Sequence, residues 1–191
     1  MLTKEAALKI FLDSQALLEG HFRLTSGRHS DKYMQCAQVL QYPHYTSQLC
    51  SHLAEQFKGA GVQAVIGPAM GGIVVSYEVA RHLGVRSIFT ERENETMTLR
   101  RNFWIEPGEK VLVVEDVVTT GGSVKEVIEV VREKGGEVVG VGVLVDRSNG
   151  KVDFGVPTQA VLAMDVRSYP PEECPLCQQG LPVIKPGSRQ V

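Results

Sequence analysis

Residues 111–124 read VLVVEDVVTTGGSV: four apolar residues, two carboxylates, two more valines, then Thr-Thr-Gly-Gly-Ser. An apolar run this short reads as a strand buried on both faces. The residues after it read as a helix. From Gly122 to Lys134 the pattern puts Val124, Val127, Ile128 and Val131 on one face, and Gly135-Gly136 ends it. Backbone N–H groups from Thr119 to Ser123 then have no intrahelical acceptor, with the positive end of the helix dipole behind them. Gly121 and Gly122 lack Cβ atoms, so a phosphate can approach the backbone, and Thr119, Thr120 and Ser123 add hydroxyl donors. Glu115 and Asp116 would repel that phosphate unless they face another part of the same ligand. A sugar phosphate resolves the conflict: the loop takes the phosphate and the acids take vicinal hydroxyls. An ordinary capped helix is the plainer alternative, but two adjacent acids ending an apolar strand weigh against it, since unpaired carboxylates there cost desolvation.

Outward from this stretch, strand-like and helix-like runs alternate. MLTKEAALKIFLDSQALLEG (1–20) reads as an amphipathic helix. Pro43 to Phe57 carries Tyr45, Leu49, Leu53 and Phe57 at four-residue spacing and ends at Gly59. QAVIGPAM (63–70) is a short buried strand, Gly72 to Leu83 a helix closed by Gly84, and VRSIFT (85–90) another strand. Residues 91–109 are polar and charged without a clear period, whereas EVVGVGVLVD (137–146) and QAVLAMDV (159–166) complete the strands. Alternation with strands apolar throughout predicts one α/β domain around a parallel sheet covered on both faces.

Composition limits the function classes. The 191 residues are 43% hydrophobic and 22% charged, with formal net charge -2, so nothing draws the chain generally to nucleic acid or anionic membrane. The N-terminal stretch carries acids and is not a signal peptide, and no apolar run approaches the roughly 20 residues a span needs. Four cysteines make no disulfide framework, so a reducing cytoplasm is expected. Other phosphate motifs fail on context. No lysine follows the glycines as a P-loop requires. GAGVQA (59–64) follows a helix and enters a strand, the reverse of a dinucleotide fingerprint, and GVGVLV (140–145) lies inside a strand. CPLC (174–177) supplies two of the four ligands of a structural zinc, with no His or Cys after it. Cys36 or Cys50 would complete a set only through the fold or a dimer, and the pair is read as free thiols. His21, His29, His44, His52 and His82 show no ligand spacing; only His29 sits in a segment of interest.

VLVVEDVVTTGGS resembles the phosphoribosyl pyrophosphate (PRPP) signature of the type I phosphoribosyltransferases, and the chain is most similar to the orotate phosphoribosyltransferases among them. LTSGRHSDKY (24–33) resembles their Ser-Gly-Arg segment, GPAMGGI (67–73) their pyrophosphate loop and VLVDRS (143–148) their strand ending in Asp-Arg. The likeness covers residues 20 to 150 in order. It implies a Rossmann-like parallel-sheet fold in a single domain, with a small hood from about 1–40 and 165–191 and a mobile catalytic loop at about 91–106. It further implies transfer of ribose 5-phosphate from PRPP to orotate, with Mg²⁺ carried by PRPP rather than by protein side chains. PRPP would lie on Glu115, Asp116, Val117, Val118, Thr119, Thr120, Gly121, Gly122 and Ser123, with Met70 and Gly71 at the diphosphate. Orotate would meet Thr119, Arg147, Tyr33 and Met34. A homodimer with shared sites is implied, the loop of one subunit serving the other.

The chain departs from the family pattern at three places. Thr25 and Gly71 stand where lysines are usual, and the loop offers Arg92, Arg100 and Arg101 in place of lysine and histidine. Those arginines become the candidates to meet pyrophosphate, with Glu115 and Asp116, as the catalytic set. On composition alone ERENETMTLRR is a solvated, self-compensating surface loop; its length and position favour a lid that excludes water. A purine phosphoribosyltransferase and a non-catalytic PRPP sensor are the alternatives. Near-neutral charge and the lid arginines favour the enzyme.

Overall fold

Residues 110–118 form the central strand, and the side chains alternate between two cores. Val111 and Val113 join one apolar cluster, Leu112 and Val114 the other. That is why the strand is apolar at every position: both faces are covered. A computed structural model describes residues 2–24 and 26–186. In chain order these form α1 (Lys4–Asp13), β1 (Leu17–Arg23), β2 (His29–Met34), α2 (Ala37–Leu40), α3 (Pro43–Glu55), β3 (Ala64–Pro68), α4 (Gly71–Leu83), β4 (Arg86–Glu93), β5 (Thr96–Leu99), β6 (Lys110–Val118), α5 (Gly122–Glu133), β7 (Glu137–Asp146), β8 (Thr158–Ala163) and α6 (Pro175–Gln178). Single 3-10 turns lie at Lys58–Ala60 and Pro171–Glu173. Thr25 and the last stretch of the expected hood, 187–191, lie outside the described residues.

The main sheet has six strands in the order β5-β4-β3-β6-β7-β8, parallel except for β5. Phe11 of α1, Leu49 and Leu53 of α3 and Val75 and Val79 of α4 pack on one face with Leu112 and Val114. Val124, Val127, Ile128 and Val131 of α5 cover the other, as their spacing predicts, joined by Met97 of β5. β1 and β2 form a separate antiparallel pair. The C-terminal segment is laced to it: His29 and Tyr169 exchange both backbone hydrogen bonds at 2.8 Å, and Arg23 and His21 are each bonded to the backbone of Ile184 at 2.8 Å.

Three expectations need correction. The N-terminal helix stops at Asp13, and residues 17–23 are a strand. Gln15, with φ 56°, turns the chain between them. The aperiodic stretch 91–109 contains a hairpin, because β4 runs on to Glu93 and pairs with β5. Its turn has consecutive left-handed residues, Asn94 (φ 50°) and Glu95 (φ 67°), the backbone of a type I′ turn. Asn-Glu lacks the glycine that usually announces such a turn. Finally, the strand does not end before the acids: β6 continues through Glu115 and Asp116 to Val118.

Candidate functional site

The connection from β3 leads through α4 to β4 on one side, while β6 leads through α5 to β7 on the other. Strand order therefore reverses between β3 and β6, and such a switch point opens a crevice at the carboxyl edge of the sheet. A cleft of about 220 Å³ lies there, lined by Arg92, Glu115, Glu126 and residues 117–124. A larger groove of about 760 Å³, lined by His44, Ser47, Ser51, His52 and His82, lies outside this edge and involves none of its loops.

The loop has the form expected of an anion cradle. Gly121, with φ 77°, is the N-cap of α5, and no side chain caps the helix. Thr119, Thr120 and Gly122 are exposed. The two glycines differ in role, however. A Cβ on Gly121 would stand 2.6 Å from Val152 Cγ1 and 2.9 Å from Phe154 Cε1, so its bareness serves packing. A Cβ on Gly122 would meet only Thr120 Oγ1, at 3.9 Å, so Gly122 is the glycine that leaves the cleft open.

Of the acid pair, Glu115 lines the cleft, and Asp116 turns toward the start of α4. Glu115 is 8% exposed and accepts a hydrogen bond from Asp116 N at 3.0 Å. Asp116 accepts one from Val117 N at 2.8 Å. Burial, followed by the adjacent Asp116 charge, pushes Glu115 up to about 9, and burial raises Asp116 as well. Carboxylates stripped of water in this way gain strongly from hydroxyl donors, and still more opposite a growing positive charge. Asp116 reaches across to α4, where a Cβ on Gly71 would stand 2.5 Å from its Oδ2.

Arg147 directly follows β7, and its N–H is bonded to Val118 O at 2.8 Å. The guanidinium is partly buried, and its Nε meets no acceptor among the described residues. Burial pulls its pKa down, with Cys36 and Tyr33 nearby acting in the opposite sense. Such a group calls for a carboxylate or other anion. Tyr33 is half-buried, its ring centroid 5.9 Å from that of Phe22. Met34 is buried in the core, which leaves its backbone as the part that can face a ligand. Met70, at the N-cap of α4, is 82% exposed.

The three arginines part company. Arg92 lines the cleft and pairs with Glu126 at 2.7 Å. Arg100 lies 3.3 Å from Glu93 and Arg101 3.0 Å from Glu91, so the hairpin's own acids hold both. A separate grouping escaped the sequence. His21 and His29 meet the C-x-x-C pair, Cys174 and Cys177, with all four ligand atoms within 4.8 Å of one another. Spacing along the chain hides it because the hairpin and the C-terminal segment are brought together only by folding.

A family model, the phosphoribosyl transferase domain, matches residues 44–154. Orotate phosphoribosyltransferase of Desulforamulus reducens is 67% identical over 190 residues, covering 100% of both chains. That of Pelotomaculum thermopropionicum is 64% identical, again covering 100% of both. The crystal structure of orotate phosphoribosyltransferase from Aeropyrum pernix superposes with TM-score 0.68 at 29% identity, covering 82% of this chain and 92% of that one.

Proposed function

The chain belongs to the phosphoribosyltransferase family, and from its site and its relatives we infer that it transfers the ribose 5-phosphate group of PRPP to orotate. The products are orotidine monophosphate and pyrophosphate, and the step belongs to pyrimidine biosynthesis. One observation carries the choice of base: the partly buried Arg147 guanidinium, its Nε without an acceptor among the described residues, stands at the same sheet edge as the acid pair and the open helix terminus. Orotate brings a carboxylate to such a group; adenine or guanine does not.

In this reading the 5-phosphate rests on the Thr119–Ser123 backbone and hydroxyls, and Glu115 and Asp116 accept hydrogen bonds from the ribose hydroxyls. As pyrophosphate leaves C1, positive charge grows on the ring, much as in glycoside hydrolysis. The two acids face that charge and stabilise it. Arg147 holds the orotate carboxylate, with Tyr33 beside it, so that N1 is aimed at C1. Mg²⁺ would enter with the diphosphate of PRPP, and the carboxyl groups of Glu115 and Asp116, once deprotonated, would offer hard oxygen donors beside it. When bound, it neutralises the departing diphosphate.

Met70 and Gly71 approach the diphosphate, and the β4–β5 hairpin acts as the lid, with Arg92, Arg100 and Arg101 exchanging carboxylates for pyrophosphate as it closes. β1, β2 and the C-terminal segment form the hood. A homodimer fits the apolar stripe on α4, where Met70, Val74 and Tyr77 are 82%, 40% and 65% exposed. Among the described residues no helix is long and apolar enough to cross a membrane. The deciding experiment is PRPP-dependent consumption of orotate measured against adenine, guanine and hypoxanthine. Turnover of orotate alone, with pyrophosphate released, is the expected result. Turnover of a purine in its place overturns the base assignment, and PRPP binding without turnover of any base overturns the enzyme.

A further inference from the structure

We propose that His21, His29, Cys174 and Cys177 form a structural zinc site that fastens the C-terminal segment to the β1–β2 hairpin. The site lies apart from the residues of the transfer reaction. His21 Nε2 is 3.0 Å from His29 Nδ1, 3.5 Å from Cys174 Sγ and 3.7 Å from Cys177 Sγ, and Cys177 Sγ is 3.2 Å from His29 Nδ1. A tetrahedral zinc with Zn–S near ~2.3 Å and Zn–N near ~2.0 Å requires ligand–ligand edges of roughly 3.3 to 3.8 Å. These four of the six edges scatter around that range, and all four ligand atoms lie within 4.8 Å of one another, so the ligands are gathered about one point as a tetrahedral ion needs.

The tautomer agrees. His21 Nδ1 lies 2.9 Å from Leu181 O, a carbonyl that accepts only from Nδ1–H. Nε2 is then left with its lone pair, turned toward the other three ligand atoms. A backbone carbonyl behind a histidine is the outer support that metal-binding imidazoles usually have. Burial agrees for three ligands, His21, His29 and Cys174 being 4%, 7% and 0% exposed, while Cys177 closes the site at the surface. Two thiolates cancel the charge of a divalent ion, so the complex is neutral and can sit largely out of water. Loading releases the two thiol protons. Two sulfurs and two imidazoles in a tetrahedron select zinc over magnesium, calcium or manganese. With all four positions taken by protein, no site remains for substrate, so the role is structural.

The fold supplies the need. A two-stranded sheet is marginal in water without further support, and β1–β2 is such a sheet, held by Leu17 and Met34 in the core and by the C-terminal segment. One ligand comes from each strand and two from a segment about 150 residues further along the chain. Cys174 also caps the four-residue helix α6, which brings Cys177 round to the same side.

The test uses the full chain, purified under reductant from zinc-supplemented cells, with metals counted by plasma mass spectrometry after gel filtration. About one zinc per chain is expected. Cys177→Ser and His21→Ala should each lower the content at least about tenfold and lower Tm, with the orotate and PRPP Michaelis constants changed less than about threefold. If a variant is insoluble, cobalt(II) titration of the metal-stripped wild-type chain still decides. The expected spectrum has strong visible bands of a tetrahedral ion and a thiolate-to-metal charge-transfer band. Zinc well below stoichiometry together with cobalt spectra of an octahedral, sulfur-free ion overturns the site. A Cys174–Cys177 disulfide in protein that resists reduction and takes up no metal overturns it equally.

Discussion

The Asp116 carboxylate lies against Gly71: a Cβ at position 71 would stand 2.5 Å from Oδ2 and 2.6 Å from Cγ. The missing side chain at the start of α4 is therefore part of how β6 presents its acid. Any residue but glycine there must displace the Asp116 carboxylate first. Gly71→Ala should lower kcat about tenfold, and Asp116→Asn about 100-fold, with orotate affinity changed much less. Because one substitution acts through the other residue, the double variant should be little worse than Asp116→Asn alone. Full additivity of the two losses in kcat would show that Gly71 matters for some other reason.

The acid pair sets a pH dependence. Glu115 is pushed up to about 9 in the folded chain from an ordinary 4.5. Between those values the folded state holds more protons than the unfolded one, so this group's contribution to stability declines as pH rises across that window. Glu115→Gln removes the titration. In ligand-free protein its Tm should exceed that of the wild type by several degrees at about pH 8 and by little at about pH 5. Calorimetry showing the same difference at both pH values would mean that Glu115 does not titrate in this range.

The paired glycines separate by structure where the sequence treats them alike. Gly122→Val projects into the cleft and should weaken PRPP binding at least about tenfold, with Tm within about 2 °C of wild type. Gly121→Val must both leave its φ of 77° and collide with Val152 and Phe154, so it should unfold at a markedly lower temperature. Calorimetric titration with PRPP and thermal melts of both variants check the division. Equal melting temperatures would refute it.

In the proposed reading, base choice rests on Arg147. Arg147→Ala should raise the orotate Michaelis constant by about 30-fold or more, the usual scale for losing one side of a desolvated charge pair, with PRPP binding nearly unchanged. Steady-state kinetics with each substrate varied in turn separates this from a folding defect, which would weaken both.

Whatever repeats at a local period was legible in the chain. Val124, Val127, Ile128 and Val131 announced α5, and the unbroken apolar run of β6 announced a sheet covered on both faces. The uncapped N-terminus of α5 was legible because its residues are contiguous in sequence. Features made by distant chain segments were not. His21 and Phe22 are both buried on β1, because the register shifts between Glu19 and Phe22. No alternation therefore marks His21 as inward-facing. Nor does any short-range rule connect it with Cys174. The Asn94-Glu95 turn was hidden for the opposite reason: its shape is common, but its residues are unusual for that shape.

Of the arginines proposed to serve a lid, two are engaged elsewhere in the static arrangement. Arg100 and Arg101 pair with Glu93 and Glu91, exposed contacts that contribute little and exchange readily. A diphosphate offers them a better partner, through two parallel hydrogen bonds. If the hairpin closes over the neighbouring subunit's cleft, Arg100→Ala/Arg101→Ala chains and Asp116→Asn chains, each nearly inactive alone, should complement one another. In a randomly assorted mixture half the dimers are mixed, and each mixed dimer holds one site with both parts intact, so recovery should reach about a quarter of wild-type activity. Subunit exchange followed by native mass spectrometry establishes that mixed dimers are present. With mixed dimers confirmed, absence of recovery means that each chain closes its hairpin over its own substrate.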